Sequence, residues 1–535
     1  MATIQTHLSI LEAKAASHGS LPLLKIPNGD LPDNGWRDVT FAQFLNDVET
    51  YARYWVQEFS KAGWEKQSII GIWLKGTSYL DLVNIWAVSR AGYIPQLISI
   101  RMPNPDVVFE MLKQAGAAAL IVDPSFEPLL TETTLPILFS ASLTSSSGDG
   151  LPKLPQLDTP PDPNDTLMIF HTSGSTSGNP KLVPVTARWL DFAIEKMSHS
   201  KLLSSSGKQQ VVVSGGSFCH MASNLLMWGY IYRSGCIIVP TELPYSSSEL
   251  KQMVSQCGLT KLNMFSGFLS KMLAEARHDE SVLAMLKDFE YVVYSGLVLN
   301  EEDRAWAQNQ GLKLVNVFAS TEVGVMLQSD EPSGNILKPA PGTIYEFIPL
   351  PDTLSLEKPL LELVVFPESK DCPPTQLRSP VTGKFHTGDL FTEEDPGLYT
   401  FQGRNDAWIK MENAMRCNTA EIEENAMQTC GADLIDVAAV VGAGRPSPVL
   451  IVEPKEGKAI SGSESSINSL RSEILQRILP FQSRRYIHER VDNISLVLIA
   501  PRGSLPRTAT KGNIRRAVVE QQYQTEMDSI FLLPN

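Results

Sequence analysis

None of the six cysteines stands in a C-x-x-C spacing, and no His/Cys cluster has zinc-ligand spacing. Neither a disulfide framework nor a structural zinc site is expected. Scattered cysteines in a long chain fit buried thiols in a reducing compartment. No run of about 18 apolar residues occurs, so no membrane-spanning helix is expected. The opening MATIQTHLSILEAKAASHG lacks a basic stretch followed by an apolar one, which argues against a signal peptide and for a cytoplasmic enzyme. Positive charge is in short supply: 45 Lys and Arg stand against 59 Asp and Glu, a net charge of −14. An acidic surface repels a phosphate backbone, so nucleic acid is not an expected partner. No repeat of fixed period is found.

What is present is a chain of 535 residues, 43% of them hydrophobic, enough for a large core and too long for one ordinary domain. Apolar residues at helical spacing predict a helix over 40–63 and another over 79–91, with a buried strand over 68–73 between them. Further strands are predicted at 119–122, 167–171, 211–214, 236–239, 291–294 and 313–318. This alternation predicts an α/β fold: a large multi-layer N-terminal domain of sheets and helices over 1–403, with ligands at the carboxyl ends of the strands. From Gly403 the pattern changes. A small, mobile α+β domain is predicted over 404–535, with a helix at 419–428, strands at 436–441 and 449–454, and a helix at 466–479. Residues 143–164, 204–208 and 456–466 read as surface connections.

Residues 170–186, FHTSGSTSGNPKLVPVT, join a strand to a loop dense in Gly, Ser and Thr and then to Pro180 and Lys181. Small residues let backbone N–H groups and hydroxyls approach phosphate oxygens, and the lysine adds charge. Lys181 leads into a strand, whereas the Walker A lysine opens a helix, so a P-loop NTPase is not indicated.

This loop resembles the signature of the adenylate-forming superfamily: acyl-CoA synthetases, firefly-type luciferases and adenylation domains of nonribosomal peptide synthetases. Further segments match in the family's order: NVFASTEVG at 316–324, HTGDL at 386–390, GRNDAWIKMENAMRCNTAEIE at 403–423 and PRTATKGNIRR at 506–516. The GRPSP at 444–448 and the MENAMRCN at 411–418, in which Asn413 stands for a glycine, are most similar to adenylation domains of fungal synthetase-like carboxylic acid reductases.

The resemblance implies roles. Thr172, Ser173, Gly174, Ser175, Thr176 and Lys181 would hold the ATP phosphates. Ser295, Gly296, Asn316, Phe318, Ala319, Ser320, Thr321 and Phe401 would form the rest of the nucleotide site, with Phe318 against adenine, although an aromatic there also fits plain core packing. Glu322 would bind Mg²⁺, a hard cation that takes carboxylate oxygen. Asp389 would accept the ribose hydroxyls, and Arg404 would reach the ribose or phosphate. Asp406 would be the hinge on which the small domain turns. Lys511 would stabilise charge in the adenylation transition state. It stands one place before the family position, because Lys511-Gly512 replaces Gly-Lys. Lys410 is a further candidate cation.

The substrate pocket would draw on His220, Met221, Asn224, Phe265, Ser266, Gly267, Leu297 and Ala319. Amino-acid-activating relatives carry an aspartate in the stretch matching GSFCHMASN at 216–224, and here no residue is acidic. An α-ammonium would enter unpaired, at high cost. An aryl or acyl acid is therefore expected, with His220 seating the carboxylate, or alternatively capping the helix that follows. The acyl acceptor would be coenzyme A or phosphopantetheine on a carrier protein, in trans or downstream. A catalytically silent adenylate-binding protein and a luciferase-like oxygenase are the competing classes.

Overall fold

The computed structural model of the chain describes every residue except 1–3, 30–33, 100–103, 131–132, 144–149, 158–160, 173–179, 200–202, 204–206, 297, 330–334, 355, 413–415, 459–463, 486, 509–511 and 533–535, and it omits the side chains of 352 and 406. Ser173, Gly174, Ser175, Thr176, Leu297, Asn413 and Lys511 therefore lie outside the described residues, as does much of 204–208 and 456–466.

Local sequence accounts for the helices that pack the large domain. Thr40 opens the helix Phe41–Lys61 with a capping box, its hydroxyl accepting from Gln43 N and the Gln43 side chain accepting from Thr40 N. Phe41, Phe44, Val48, Ala52, Trp55 and Phe59 form its buried stripe. The helix Tyr79–Arg90 opens on a similar Ser78/Asp81 box and is buried nearly all round.

Three sheets of the described residues build the large domain. One of six strands runs Ile137–Phe139, Ala119–Val122, Ile69–Trp73, Ile94–Leu97, Thr166–Thr172, Lys181–Thr186. All its neighbours are parallel except the last pair, a hairpin. A second, of nine strands, begins with the parallel set Leu262–Phe265, Val292–Ser295 and Leu314–Ser320, then continues antiparallel through Gly324–Ser329 to Tyr345–Pro349. A third, of four strands, contains Val211–Val213 and meets the nine-stranded sheet through a Val212–Lys261 bridge. Parallel strands buried on both faces read as short apolar runs, which is why the predicted ones matched within two residues, although Ile94–Leu97, Ile137–Phe139 and Leu262–Phe265 were not predicted. The helix His7–His18, the strands Pro22–Pro27 and Trp36–Thr40 and most antiparallel strands after residue 324 were not predicted.

Residues after 405 have their own apolar core, built from Ile409, Ile422, the strands Ile435–Val441, Val449–Pro454 and Val497–Ile499, and the helices Thr419–Cys430 and Glu464–Gln482. The last helix runs past the predicted end at Leu479 and through Pro480, because Ile478 and Gln482 are both fully buried. Gln482 also accepts a hydrogen bond from Val491 N at 3.1 Å.

Candidate active site

The described site residues fall into several local groups, most of them at a strand end or the turn beside one. Thr172 closes its strand and faces Lys181 in register across the hairpin, so the Gly/Ser/Thr loop is pinned at both ends. Lys181 is exposed. One residue earlier, His171 Nε2 accepts from Ser99 N at 3.0 Å.

A second group forms around Phe265, at the end of its strand. The Ser266 hydroxyl donates to Ser295 O at 3.0 Å, tying two strand ends together. A Cβ on Gly296, whose φ is +94°, would sit 3.1 Å from Phe265 Cδ1, and one on Gly216 would sit 3.4 Å from its Cε2. His220 meets the same ring edge-on at 6.2 Å. Phe265 is thus the contact shared by Gly216, His220 and Gly296. A Cβ on Gly267 would meet nothing within 4 Å.

His220 also caps the helix Met221–Tyr232, its Nδ1 accepting from Ala222 N at 3.3 Å. Asn224, fully buried, donates to Phe218 O at 2.6 Å and His220 O at 3.1 Å. It braces the turn that presents His220. Met221 belongs to the main apolar core. The neighbouring Cys219 thiol is pushed up to about 12 by burial and is no nucleophile at neutral pH.

The third group is the turn after Leu314–Ser320. Ala319 is exposed, while Ser320, Thr321 and Glu322 are partly so. Ser320 Oγ accepts from Val323 N at 3.2 Å. Two successive carbonyls of this turn are held by one helix, Ala187–Ser198: Trp189 Nε1 donates to Glu322 O at 3.1 Å and Lys196 Nζ to Val323 O at 2.9 Å. Asn316 is buried four positions before Ser320 in the same strand, its N–H donating to Ser329 Oγ at 2.8 Å.

Phe318 and Phe401 pack against each other at 5.0 Å, and both touch Phe391. Phe318 remains partly exposed, and its ring joins the segments 314–320 and 398–404. Beyond it, Asp389 and Arg404 are register partners, with Arg404 Nη1 3.1 Å from Asp389 Oδ1 and 3.2 Å from Thr387 O. Gly388 reaches the left-handed region at φ +71°, and its N–H donates to Glu362 Oε1 at 3.2 Å.

After Arg404 comes a single turn, Asn405–Ala407, bridged by Trp408 Nε1 donating to Gln402 O at 3.0 Å. Lys410 is exposed, at the end of the short strand Trp408–Lys410. The segment around Lys511 is described on both sides: Thr508 N donates to Asn513 O at 2.8 Å, and Gly512 has φ +66°. Glycine at 512 therefore serves the turn itself.

Sequence reasoning missed Trp189, Lys196, Glu362 and Asp371. Lys196 carried a signal, being a lone lysine on the apolar face of a helix whose other buried residues include Trp189, Leu190, Phe192, Ala193 and Met197.

The sequence model of the family described as AMP-binding enzyme matches residues 11–348, and that of the AMP-binding enzyme C-terminal domain matches 406–532. The chain is similar to the AMP-binding domain-containing enzyme iboA of Amanita muscaria, 32% identical over 94% of this chain and 98% of that one. It is 23% identical to a carboxylic acid reductase of Neurospora crassa over 98% of this chain and 50% of that one, and 23% identical to the adenylate-forming reductase stbB of Stachybotrys bisbyi over 84% and 41%. The chain thus spans half or less of those two reductases. Among solved structures, an o-succinylbenzoate coenzyme A synthetase of Bacillus subtilis in complex with ATP and magnesium superposes with a TM-score of 0.72 at 15% identity, covering 95% of this chain and 98% of that one. The McyG A-PCP complex with phenylalanyl-adenylate gives 0.72 at 15% identity over 99% and 84%.

Proposed function

Since this chain belongs to the AMP-binding enzyme family, whose adenylate-forming members make up its relatives, we propose that it activates an aryl or acyl carboxylic acid with ATP. The products are an acyl-adenylate and pyrophosphate, and the acyl group then passes to the thiol of coenzyme A or a carrier's phosphopantetheine. The observation that carries the reading is the pairing of motif residues in one family-matched fold: Thr172 opposite Lys181, Asp389 opposite Arg404, and the Glu322 turn tied by Trp189 to the helix that follows the Lys181 strand.

In this reading Lys181 and the loop before it hold the β- and γ-phosphates, and Asp389 holds the ribose. Magnesium would neutralise phosphate charge. The described residues contain no group of three or more His, Cys, Asp and Glu placed to hold a metal ion. A magnesium ion carried by substrate phosphates needs only one or two carboxylates, so Glu322 alone fits. The Phe265 wall, with Ser266, Gly267 and His220, receives the acid. The stretch 216–224 has no carboxylate to meet an ammonium. Residues 404–535 turn about Asp406 between the half-reactions and bring Lys511 to the adenylation step.

ATP–pyrophosphate exchange across a panel of acids, followed by trapping with coenzyme A, tests the reading. An aryl or acyl acid should exchange fastest. A fastest α-amino acid would sink the pocket assignment. No exchange with any acid would favour a silent adenylate binder, and oxygen-dependent light emission an oxygenase.

A further inference from the structure

Lys196 has a relative exposure of 2%, and both it and Asp371 bury their charged ends fully. A buried ammonium needs compensation for its lost hydration. Lys196 Nζ finds it in Asp371 Oδ2 at 2.6 Å and in Val323 O at 2.9 Å, with the Phe192 ring 5.5 Å away. Asp371 is saturated in turn, accepting from Ser369 Oγ at 2.5 Å and from the Tyr345 hydroxyl. Burial lowers the basicity of Lys196, and Asp371 opposes that shift.

The helix carrying Lys196 begins where the Lys181–Thr186 strand ends, and Thr186 caps it by accepting from Trp189 N at 3.3 Å. Trp189 and Lys196, seven positions apart, lie on one face two turns distant. They grip the carbonyls of Glu322 and Val323. Gly324, at φ +75°, is open enough for the indole: a Cβ there would lie 3.3 Å from the Trp189 ring. One rigid helix therefore sets the spacing between the Lys181 hairpin and the Glu322 turn.

We propose that Lys196, charge-locked by Asp371, is a positioning residue that holds the Glu322 carboxylate at a fixed place relative to Lys181, so that the magnesium ion and the phosphates are received together. The proposal rests on the nucleotide-site reading above and deepens it. Lys196 touches neither ligand. Its effect passes through the 322–323 peptides.

The test is the magnesium dependence of ATP binding and of exchange. Lys196→Met alone strands a buried carboxylate and risks unfolding. The variant to use is Lys196→Met with Asp371→Asn, which removes both charges. Its fold is checked by circular dichroism and its melting temperature. With ATP held constant, the magnesium midpoint for equilibrium binding should rise roughly tenfold or more, as removal of an outer-shell partner typically does. The KM for the acid should stay within twofold, and Glu322→Gln should show the same signature. A folded double variant with wild-type magnesium dependence overturns the proposal. So does a variant that loses acid and magnesium affinity equally, which is the mark of a general structural role. If the double variant fails to fold, Lys196→Arg, which keeps the charge but displaces the donor from Val323 O, should shift the magnesium midpoint in the same direction, and no shift overturns the proposal. Wild-type protein that binds no ATP at any magnesium concentration fails the nucleotide-site reading instead.

Discussion

Asp389 and Arg404 face each other across adjacent antiparallel strands, with a guanidinium nitrogen 3.1 Å from a carboxylate oxygen. The Asp389 side chain is 10% exposed and that of Arg404 42%. A pair with one member in water contributes little to stability, below about 1 kcal/mol. Its use is to orient the carboxylate. Asp389→Asn should leave the melting temperature nearly unchanged and raise the KM for ATP by roughly 10- to 100-fold, the loss expected of hydrogen bonds to a charged acceptor. The KM for the acid should hold. Steady-state exchange kinetics with each substrate varied in turn decide it; a shift confined to the acid would move Asp389 out of the ribose site.

On the proposed reading, Lys511 acts in the first half-reaction and not the second. A positioned cation commonly contributes about 10² to 10³ in rate. Lys511→Ala should cut adenylate formation by that order and largely spare thioester formation from supplied acyl-adenylate. Single-turnover thiolation isolates the second step. Equal losses in both would make the residue structural, and no loss in either would turn attention to Lys410.

His220 has two separable duties, capping a helix and facing the Phe265 wall. Removing an N-cap costs about 0.5–2 kcal/mol. His220→Ala should lose both stability and exchange rate. His220→Asn keeps a capping oxygen and should recover the stability but not the rate. Denaturation midpoints measured beside exchange rates separate the two; full recovery of rate in the Asn variant would leave His220 as a cap alone.

His7 makes stability depend on pH. It is fully buried, its Nε2 lies 2.9 Å from Ser89 Oγ, and its ring meets Trp86 at 5.0 Å. Burial lowers its pKa from 6.5 to about 3. The unfolded chain takes up a proton below about pH 6.5 and the folded chain does not. Stability is therefore full above that value and falls as pH drops toward 3, by on the order of 2 kcal/mol at pH 5. His7→Phe keeps an edge-on ring and cannot titrate. Its loss of stability between pH 7.5 and pH 5, from urea midpoints, should be smaller than wild type's by that amount. Parallel curves would assign the slope to other groups.

Much of this protein was legible locally. A helical stripe such as Phe41 to Phe59, or a short apolar strand such as Ala119–Val122, is written in residues a few positions apart, and periodicity reads it directly. The family's motifs, in order along the chain, named the family and the order of its site segments, because each is a short contiguous stretch of sequence. What only the tertiary structure decided were the relations between segments. Lys196 and Asp371 stand 175 residues apart, and nothing in the spacing of either joins them. Phe318 meets Phe391 and Phe401 only because their strands share a sheet. His220 meets the Phe265 ring only in the folded chain, whereas its cap on Ala222 N is local. Backbone preference and hydrophobic period act over one turn or one strand. The partner of a buried charge or ring is chosen by how whole sheets and helices pack, and that choice leaves no mark at short range.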